Sequence, residues 1–526
     1  MPELHWLGDS DAKRAVRRVP YRLLEPIETV GDATSGNLLI HGDNLDALKA
    51  LLPFYAGRVK CIFIDPPYNT KSAFEHYDDN LEHSQWLSMM YPRLELLRDL
   101  LSEDGSIWVT IDDNEAHYLK VVMDEVFGRS NFVANIFWQK TPTRENRTDV
   151  SAVHDHLMVF AKSKVRWKDI RNMLPASDEQ LGRFTNPDQD PRGDWASLPA
   201  HAKAEKGRRQ EQFFTITTPS GRKIDPPAGR CWLYTAERFA EMVADNRIWF
   251  GDAGKNAPRV KKFLTEVQAG LVPTTFWLYK EVGSNADAKA QVVALFPNET
   301  PFSTPKPEQL IARLIHISTN SDDLVLDSYL GSGTTAAVAH KMGRRYIGIE
   351  MGDHAITHCL PRLKKVIGGE QGGISEAVGW KGGGGFRFMS LGEPVFLDDG
   401  CINPAVRFAT LASYLWFLET GTPHATGTFS TPLLGIMGSV MGGETTEQGD
   451  TAPRTAIILL YNGILGDKRP QAGNVLTTPI WNGILAQLPP HDGPRIIYGE
   501  ACRLSRERLK ALNVTFKQIP HDIRMR

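Results

Sequence analysis

The sequence predicts an α/β protein built on a doubly wound, mostly parallel sheet, and three observations support that prediction. From residue 37 to about residue 162, short apolar runs alternate with segments of helical periodicity. The same alternation resumes near residue 302. Two turn motifs each follow directly on an apolar run, and open α/β sheets bind their ligands at that end of a strand. Strand–helix alternation favours a parallel sheet with helices on both faces.

The hydrophobic pattern places the individual elements in order. Apolar strands are expected at residues 38–40, 58–64, 106–111 and 323–327. A leucine- and methionine-rich stripe predicts a helix from Ser84 to Leu101. Pro92 inside it should kink or break that helix, and residues 102–105 should form a turn. A further helix is expected from Pro307 to Thr319.

The first motif is Asp65-Pro66-Pro67-Tyr68, which follows the apolar run of residues 61–64. Two prolines fix φ and carry no N–H, so the turn is stiff and offers carbonyl oxygens. Asp65 and the Pro66 carbonyl can accept both hydrogens of an exocyclic amine, while Tyr68 stacks on the attached ring. The alternative is a simple proline turn. The chain also contains Asp225-Pro226-Pro227-Ala228, which lacks the apolar strand and the tyrosine and is expected to be a loop.

The second motif spans residues 327–335 and contains glycines that let the backbone approach a ligand. A nucleotide-phosphate loop is the competing interpretation, but the motif lacks the lysine of that loop and the GxGxxG spacing. The next apolar run ends in Glu350, which can accept from both ribose hydroxyls. A nucleoside without phosphates, such as S-adenosylmethionine, fits this pair of features. The candidate cofactor-binding residues here are Asp327, Tyr329, Gly331, Ser332, Gly333, Thr334 and Glu350.

Several motifs in a fixed order make the chain resemble β-type DNA adenine-N6 methyltransferases, a group with a Rossmann-like sheet. More closely, it is similar to the Mod (modification) subunit of type III restriction–modification systems. The matching segments are His41–Leu48, Ile64–Thr70, Trp86–Leu94, Ile111–Glu115, Thr304–Pro307 and Gly382–Arg387. The resemblance implies methyl transfer from S-adenosylmethionine to the N6 of adenine in double-stranded DNA. It also implies a homodimer and a helicase–nuclease restriction subunit as partner.

Composition permits this function without indicating it. The net charge is −2, so the whole chain gives no basic signal for nucleic acid. Five scattered cysteines without a CxxC pair predict reduced thiols in a cytoplasmic protein, with no metal site. No apolar run reaches transmembrane length, and the N-terminus has no secretory pattern.

Residues 163–300 separate the two halves of the sheet and are expected to be a DNA-recognition insertion. Residues 161–270 carry 20 Lys and Arg against 14 Asp and Glu, interleaved with aromatic residues. Such a surface suits a phosphate backbone, although a solvated face is the alternative. The candidate DNA-binding residues are Lys203, Lys206, Arg208, Arg209, Lys261 and Lys262.

A target adenine must be flipped out of the duplex and held, usually between aromatic rings. Phe137 or Trp138 could form the wall opposite Tyr68, although both could equally be core residues of a strand. Asp43 could contact the cofactor's adenine or amino group, or simply form an Asx turn. By the resemblance, Thr304 or Lys306 lies near the methionine end of the cofactor.

The predicted organisation is an N-terminal arm (1–36), a catalytic half of the sheet (37–162), the insertion (163–300), a cofactor-binding half (301–395) and a small C-terminal assembly domain (396–526). The predicted function is site-specific adenine-N6 methylation of DNA. A cytosine-N4 methyltransferase and a non-catalytic DNA-recognition subunit remain as alternatives. By family analogy, Asp rather than Ser at position 65 favours adenine.

Overall fold

The computed structural model describes residues 3–70, 82–146, 148–176, 181–204, 209–266, 270–297, 300–397, 402–424, 429–437, 454–464, 466–487, 489 and 491–519. The chain forms two compact units. The first comprises residues 1–172 and 274–526, and the second comprises residues 173–273. Within the described residues, no helix combines the length and the apolar character needed to cross a membrane.

A ten-stranded sheet organises the first unit. Its strands, in spatial order, are Arg22–Gly31, Gly385–Pro394, Leu38–His41, Arg345–Glu350, Leu324–Asp327, Val59–Ile64, Leu101–Ile111, His154–Ala161, Phe132–Gln139 and Phe276–Trp277. The six strands from the second to the seventh are mutually parallel. The predicted α/β class with a mostly parallel sheet is therefore confirmed.

Helices connect and cover these strands. The helices of the first unit that precede residue 400 are Asp9–Arg18, Asn44–Tyr55, His83–Leu100, Ala116–Met123, Lys164–Ile170, Tyr279–Val282, Asn285–Leu295, Glu308–Ser318, Thr334–Lys341 and Leu360–Ile367. Asn44–Tyr55 packs on His83–Leu100, and Glu308–Ser318 packs on Thr334–Lys341.

The two predicted turns meet where the sheet reverses its winding. Val59–Ile64 and Leu324–Asp327 are neighbours, with Val325 paired to Cys61. The strand that follows Val59–Ile64 in the chain is Leu101–Ile111, and it lies on one side of this pair. The strand that follows Leu324–Asp327 is Arg345–Glu350, and it lies on the other side. Such a switch point leaves a crevice at the carboxyl ends of the strands. Both turns therefore open into one crevice.

The N-terminal residues differ from the predicted charged arm. Asp9–Arg18 is a helix, and Arg22–Gly31 is the antiparallel edge strand beside Gly385–Pro394. Tyr21, just before that strand, is 7% exposed and contacts the ring of Tyr414 edge-on. The end of the predicted arm (1–36) is therefore an edge strand of the main sheet, packed within the first unit.

Two local predictions near residue 100 are also corrected. His83–Leu100 is one helix with Pro92 inside it, not two pieces. Residues 102–105 are not a turn that ends the helix, because they belong to the strand Leu101–Ile111. Val59 pairs with Leu101 and Cys61 pairs with Ser106, so the register shifts between these two pairs. The additional residues of the strand Leu101–Ile111 are accommodated there as a bulge.

The second unit is narrower than the predicted insertion of residues 163–300. Lys164–Ile170, Phe276–Trp277 and Asn285–Leu295 belong to the first unit instead. Described elements of the second unit are the strands Trp195–Pro199, His201–Lys203, Ile216–Thr217, Lys223–Ile224, Arg230–Trp232, Ile248–Trp249 and Arg259–Phe263, and the helix Ala236–Ala244. Trp232 and Phe239 lie in its small apolar core.

The C-terminal residues 396–526, predicted as a separate assembly domain, belong to the same compact unit as the main sheet. Their helices are Phe408–Thr420, Thr478–Gln487 and Arg506–Ala511. Their strands are Leu433–Met437, Thr455–Leu459, Val475–Leu476, Arg495–Gly499, Ala501–Cys502 and Val514–Gln518. Leu411 and Leu415 are fully buried in the core that also contains the main sheet.

Candidate active site

The turn Asp65-Pro66-Pro67-Tyr68 follows the buried strand Val59–Ile64 at the carboxyl edge of the sheet. On the next strand, Thr110 donates a hydrogen bond to Asp65 Oδ1 at 2.5 Å. The indole nitrogen of Trp86 donates to the carbonyl of the second proline at 2.8 Å. Because prolines already restrict the backbone, these contacts leave the carboxylate in a well-defined position.

The two turns line one cavity of about 320 Å³. The first turn contributes Asp65, Pro66, Pro67 and Tyr68 to the lining, and the second contributes Asp327, Tyr329, Gly331, Ser332 and Thr334. Thr304 and Lys306 also line it. The structure therefore brings together most of the catalytic and cofactor-binding residues that the sequence predicts, from segments about 240 to 270 residues apart.

The glycine turn requires glycine at its centre. Gly331 has φ +56°, and a Cβ there would lie 3.1 Å from the ring of Phe302, a cavity residue that the sequence analysis did not single out. Gly333 has φ +80° and would meet Cys359 at 3.3 Å. The turn thus holds a close-packed backbone against an aromatic wall, which suits a flat apolar ligand.

Asp327 begins this turn and is nearly inaccessible to solvent. Its carboxylate accepts from the Tyr329 N–H at 2.9 Å and from the Thr335 hydroxyl at 2.6 Å. Burial raises the pKa of Asp327 to about 7, with the carboxylates of Asp65 and Glu350 adding to the effect. Asp327 therefore changes charge near neutral pH.

Glu350 ends its strand as predicted, but its carboxylate supports the glycine turn. Its two oxygens accept from the Gly331 N–H at 2.7 Å and from the Gly352 N–H at 3.0 Å. The side chain is buried and is not among the described residues that line the cavity. A carboxylate oxygen has two lone pairs, so each can accept a further bond.

A buried ion network lies beneath the same turn. Arg362 donates to the Ser332 carbonyl at 3.2 Å and to Thr334 at 2.8 Å, and its other nitrogen pairs with Glu308 at 2.8 Å. Lys341 pairs with Glu308 at 2.9 Å. Burial would raise the pKa of Glu308, but Arg362 and Lys341 hold it below its usual value. Nothing in the local sequence marks this network, because its members come together only through the fold.

Lys306 contacts both Asp65 and the ring of Tyr68. Its ammonium forms an ion pair with Asp65 Oδ2 and lies 5.3 Å from the centre of the Tyr68 ring. The structure thus places Lys306 beside the Asp-Pro-Pro-Tyr turn, whereas the resemblance implies a position near the methionine end of the cofactor.

Lys140 and Asp155 also line the cavity, and the sequence analysis missed both. Lys140 Nζ contacts Asp155 Oδ1 at 2.6 Å, and the Tyr68 hydroxyl donates to Asp155 Oδ2 at 3.4 Å. The backbone of Lys140 is held by Asn285, whose N–H donates to its carbonyl at 2.9 Å. This bond gives a local role to the Gly-Ser-Asn segment at residues 283–285.

The predicted second stacking wall is not formed by Trp138. That side chain is fully buried, and its indole donates to the Gly283 carbonyl at 3.0 Å. Phe137, its neighbour on the strand, points the other way because successive strand residues alternate between faces. Phe137 is 36% exposed and contacts the rings of His154 and His156. Neither is among the described residues that line the cavity.

Asp43 has the simpler of its two predicted roles. It is the N-cap of the helix Asn44–Tyr55 and accepts from the N–H groups of Leu45 and Asp46. Arg93 pairs with its carboxylate at 3.2 Å. Asp43 is also absent from the described cavity lining, so the expectation of direct cofactor contact is not supported by its position.

The predicted DNA-binding residues of the second unit divide into two groups. Lys203, Arg209 and Lys262 are exposed. Lys261 is 1% exposed and pairs with Asp188 and with Asp190, so it cannot reach a phosphate, and its assignment is corrected. Lys206 and Arg208 lie outside the described residues.

One cluster of possible metal ligands occurs among the described residues, formed by Asp113, His154 and His156. One ring nitrogen of His156 contacts Asp113 at 2.7 Å, and the other contacts Asn135 at 2.9 Å. Hydrogen bonding therefore accounts for the arrangement of His156 without an ion.

Comparison with known proteins agrees with this geometry. Residues 59–360 match the DNA methylase family (N6_N4_Mtase), and this match covers more than half of the chain. The chain belongs to this DNA methylase family. The matched region includes both turns and all the described residues that line the cavity between them.

Two relatives of this DNA methylase carry names from type III restriction–modification. The StyLTI Mod subunit of Salmonella typhimurium is 35% identical over 57% of this chain and 49% of its own length. The probable HindVI Mod subunit of Haemophilus influenzae is 33% identical over 68% of this chain and 54% of its own length. The chain thus spans about half the length of these two relatives. Among solved structures, the PvuII cytosine-N4-specific DNA methyltransferase matches 65% of this chain and 89% of its own at 16% identity, with a TM-score of 0.36.

Proposed function

We propose that the chain is a site-specific DNA methyltransferase that transfers a methyl group from S-adenosylmethionine to the N6 of adenine. The observation that supports it most strongly is the meeting of the Asp65-Pro66-Pro67-Tyr68 turn and the Gly331 turn in one cavity of about 320 Å³. Amine acceptors and a nucleoside-sized apolar wall then lie within one reaction space. Its relatives named Mod subunits support the same proposal.

In the proposed reaction, Asp65 and the Pro66 carbonyl accept the two hydrogens of the adenine amine, and Tyr68 stacks on the ring. This arrangement draws the nitrogen lone pair out of conjugation and directs it at the electrophilic methyl group that S-adenosylmethionine supplies. The new C–N bond forms as the C–S bond breaks, with that electron pair remaining on sulfur. The amine then loses one proton, for which Asp65 is the adjacent acceptor.

Lys306 has to leave Asp65 before this can happen, because its ammonium pairs with the carboxylate that accepts the amine. Its side chain lines the same cavity as the glycine turn, together with Thr304. A cofactor carboxylate near Thr304 would offer Lys306 an alternative partner. Binding of the cofactor would then release Asp65 for the base.

The cofactor itself would be held by chain groups that fit a nucleoside. Phe302 supplies an aromatic wall across from Gly331, where φ is +56° and an added Cβ would lie 3.1 Å from the ring. Asp327 offers a carboxylate in the lining of the same cavity. Glu350, which holds the turn from below, is the proposed acceptor for the ribose hydroxyls.

The remaining assignments concern partners. The second unit, with its exposed Lys203, Arg209 and Lys262, is the proposed DNA-recognition unit. Similarity to Mod subunits supports the modification role of a type III restriction–modification system, with a helicase–nuclease restriction subunit as partner. A homodimer is proposed on the same basis. Light scattering should then give about twice the chain mass of 58.7 kDa, as expected for a two-fold pair.

Methyl transfer from tritiated S-adenosylmethionine to a mixture of DNA sequences tests the proposal. Acid-precipitable tritium should depend on DNA and should be lost with Asp65→Ala. DNA binding without any tritium transfer would instead favour a non-catalytic recognition subunit and refute the proposal.

A further inference from the structure

The hydroxyl of the stacking tyrosine points to a carboxylate that the proposed reaction has not used. Asp155 lies on the strand His154–Ala161 and is 2% exposed. Its two oxygens are divided between two partners: Lys140 at 2.6 Å and the Tyr68 hydroxyl at 3.4 Å. All three residues line the cavity. The carboxylate therefore bridges a cation and the ring on which the base would stack.

We propose that Asp155 is a positioning residue for Tyr68, because it fixes where the hydroxyl end of the stacking ring lies, and that Lys140 holds the Asp155 carboxylate in place. The inference rests on the proposed methyltransferase function, because it assigns Asp155 and Lys140 to the base-binding end of the same site. It concerns how the target base is held, not the methyl transfer itself.

Three features support a positioning role over an ordinary buried ion pair. The Tyr68 hydroxyl remains a donor, since burial together with Asp155 and Asp65 raises the pKa of Tyr68 well above its usual value. Lys306 lies against the ring of Tyr68, so the ring is contacted at its face and at its hydroxyl. The hydroxyl contact is long for a hydrogen bond in the free protein, and such contacts commonly tighten when a substrate is bound.

Strand geometry explains why Asp155 can do this. The register pairs Asp155 with Trp138, and Lys140 follows two residues later, directly after the end of the partner strand. The indole of Trp138 is anchored to Gly283, and the Lys140 carbonyl accepts from Asn285. The segment that carries Lys140 is thus anchored at two points, so Lys140 can hold the Asp155 carboxylate in place.

A double-mutant cycle tests the proposal with the full-length protein. Tyr68→Phe, Asp155→Asn and the combined variant are compared with wild type for the KM for DNA and for kcat in methyl transfer. If Asp155 acts through the Tyr68 hydroxyl, each single change should raise the KM about fivefold, the scale of one net hydrogen bond. The combined variant should also show about a fivefold rise, because both changes remove the same contact.

A matched control separates this effect from general loss of an ion pair. Asp124 pairs with Lys120 at 2.7 Å, and neither residue is among the described residues that line the cavity. Asp124→Asn breaks this ion pair and should leave the KM for DNA unchanged. Thermal unfolding checks that each variant folds. If Asp155→Asn alone does not fold, the cycle is repeated with Lys140→Met and Asp155→Asn combined, with and without Tyr68→Phe.

The possible results distinguish failure of the positioning role of Asp155 from failure of the proposed methyltransferase function. A combined KM rise of about 25-fold means independent effects and overturns the positioning role. Loss of kcat in Asp155→Asn but not in Tyr68→Phe would also overturn it, since Asp155 would then act on the substrate directly. A wild-type protein that transfers no methyl group in the same assay would instead remove the proposed function, and the inference with it.

Discussion

Replacing Asp65 by Asn tests the amine-binding role with little change of shape. The carboxylate is fixed by the Thr110 hydroxyl at 2.5 Å and by Lys306, so it is already in position before a base arrives. The amide keeps one oxygen acceptor, but it puts an NH₂ donor in place of the second carboxylate oxygen and removes the charge that would accept the proton of the amine. Loss of one such preorganised group raises a reaction barrier by about 3–4 kcal/mol, or lowers kcat roughly 100- to 1,000-fold.

Stability should also fall, because the Lys306 ammonium that loses its charged partner is only 10% exposed and the Asp65 side chain is 21% exposed. A loss of roughly 1–3 kcal/mol is expected. Cofactor affinity, measured by calorimetry, should be retained because the Gly331 turn is untouched. Asp225→Asn is the matched control, since Asp225 begins the other Asp-Pro-Pro segment and is exposed. A near-wild-type kcat for Asp65→Asn would refute the assignment of Asp65.

Three further predictions rest on contrasts within the chain. Gly331→Ala should lower the affinity for S-adenosylmethionine, measured by calorimetry, far more than Gly57→Ala does. Both glycines have positive φ, but only at Gly331 would the new Cβ lie 3.1 Å from a ring. Equal affinities of the two variants would contradict this expectation. Lys262→Met should reduce the slope of log binding constant for DNA against log salt concentration by about one unit. Lys261→Met should lower the melting temperature and leave that slope unchanged. The reverse pattern would reject Lys262 as the residue that contacts DNA. Asp327 has a folded pKa of about 7, raised from 3.8, so the folded state binds more protons between these values and its contribution to stability falls as pH rises. Denaturant unfolding of Asp327→Asn should show a smaller loss of stability from pH 5 to pH 8 than wild type, by roughly 2–3 kcal/mol, and parallel pH profiles would refute the raised pKa.

The parts of the site that the sequence predicted are local combinations of strand and turn. A run of apolar residues followed by Asp65 and two prolines defines its own conformation, and so does an apolar run followed by Gly331. Their meeting could also be expected, since parallel strands place their carboxyl ends at one edge.

The errors arose where one residue's direction decides its role. Trp138 and Phe137 are consecutive on a strand, as are Lys261 and Lys262, and in each pair the members point to opposite faces. Residue type alone predicts the same role for both members of such a pair, stacking for the two aromatic residues and phosphate binding for the two lysines. Only the fold reveals that Trp138 and Lys261 are the buried ones.

Contacts between distant side chains that no motif marks were not predictable. Asp155 meets Tyr68 across 87 positions of sequence, and Glu308 meets Arg362 across 54. No periodicity or motif links such residues. The N-terminal strand Arg22–Gly31 was missed for the same reason, because its partner Gly385–Pro394 lies far along the chain.

The identity of the modified nucleoside tests the central claim most directly. DNA is incubated with the protein and S-adenosylmethionine bearing a deuterated methyl group, digested to nucleosides and analysed by mass spectrometry, with Asp65→Ala in parallel. The account predicts labelled N6-methyladenine as the product of the wild-type protein and its loss in the variant. Labelled N4-methylcytosine alone, or no labelled nucleoside, would contradict it.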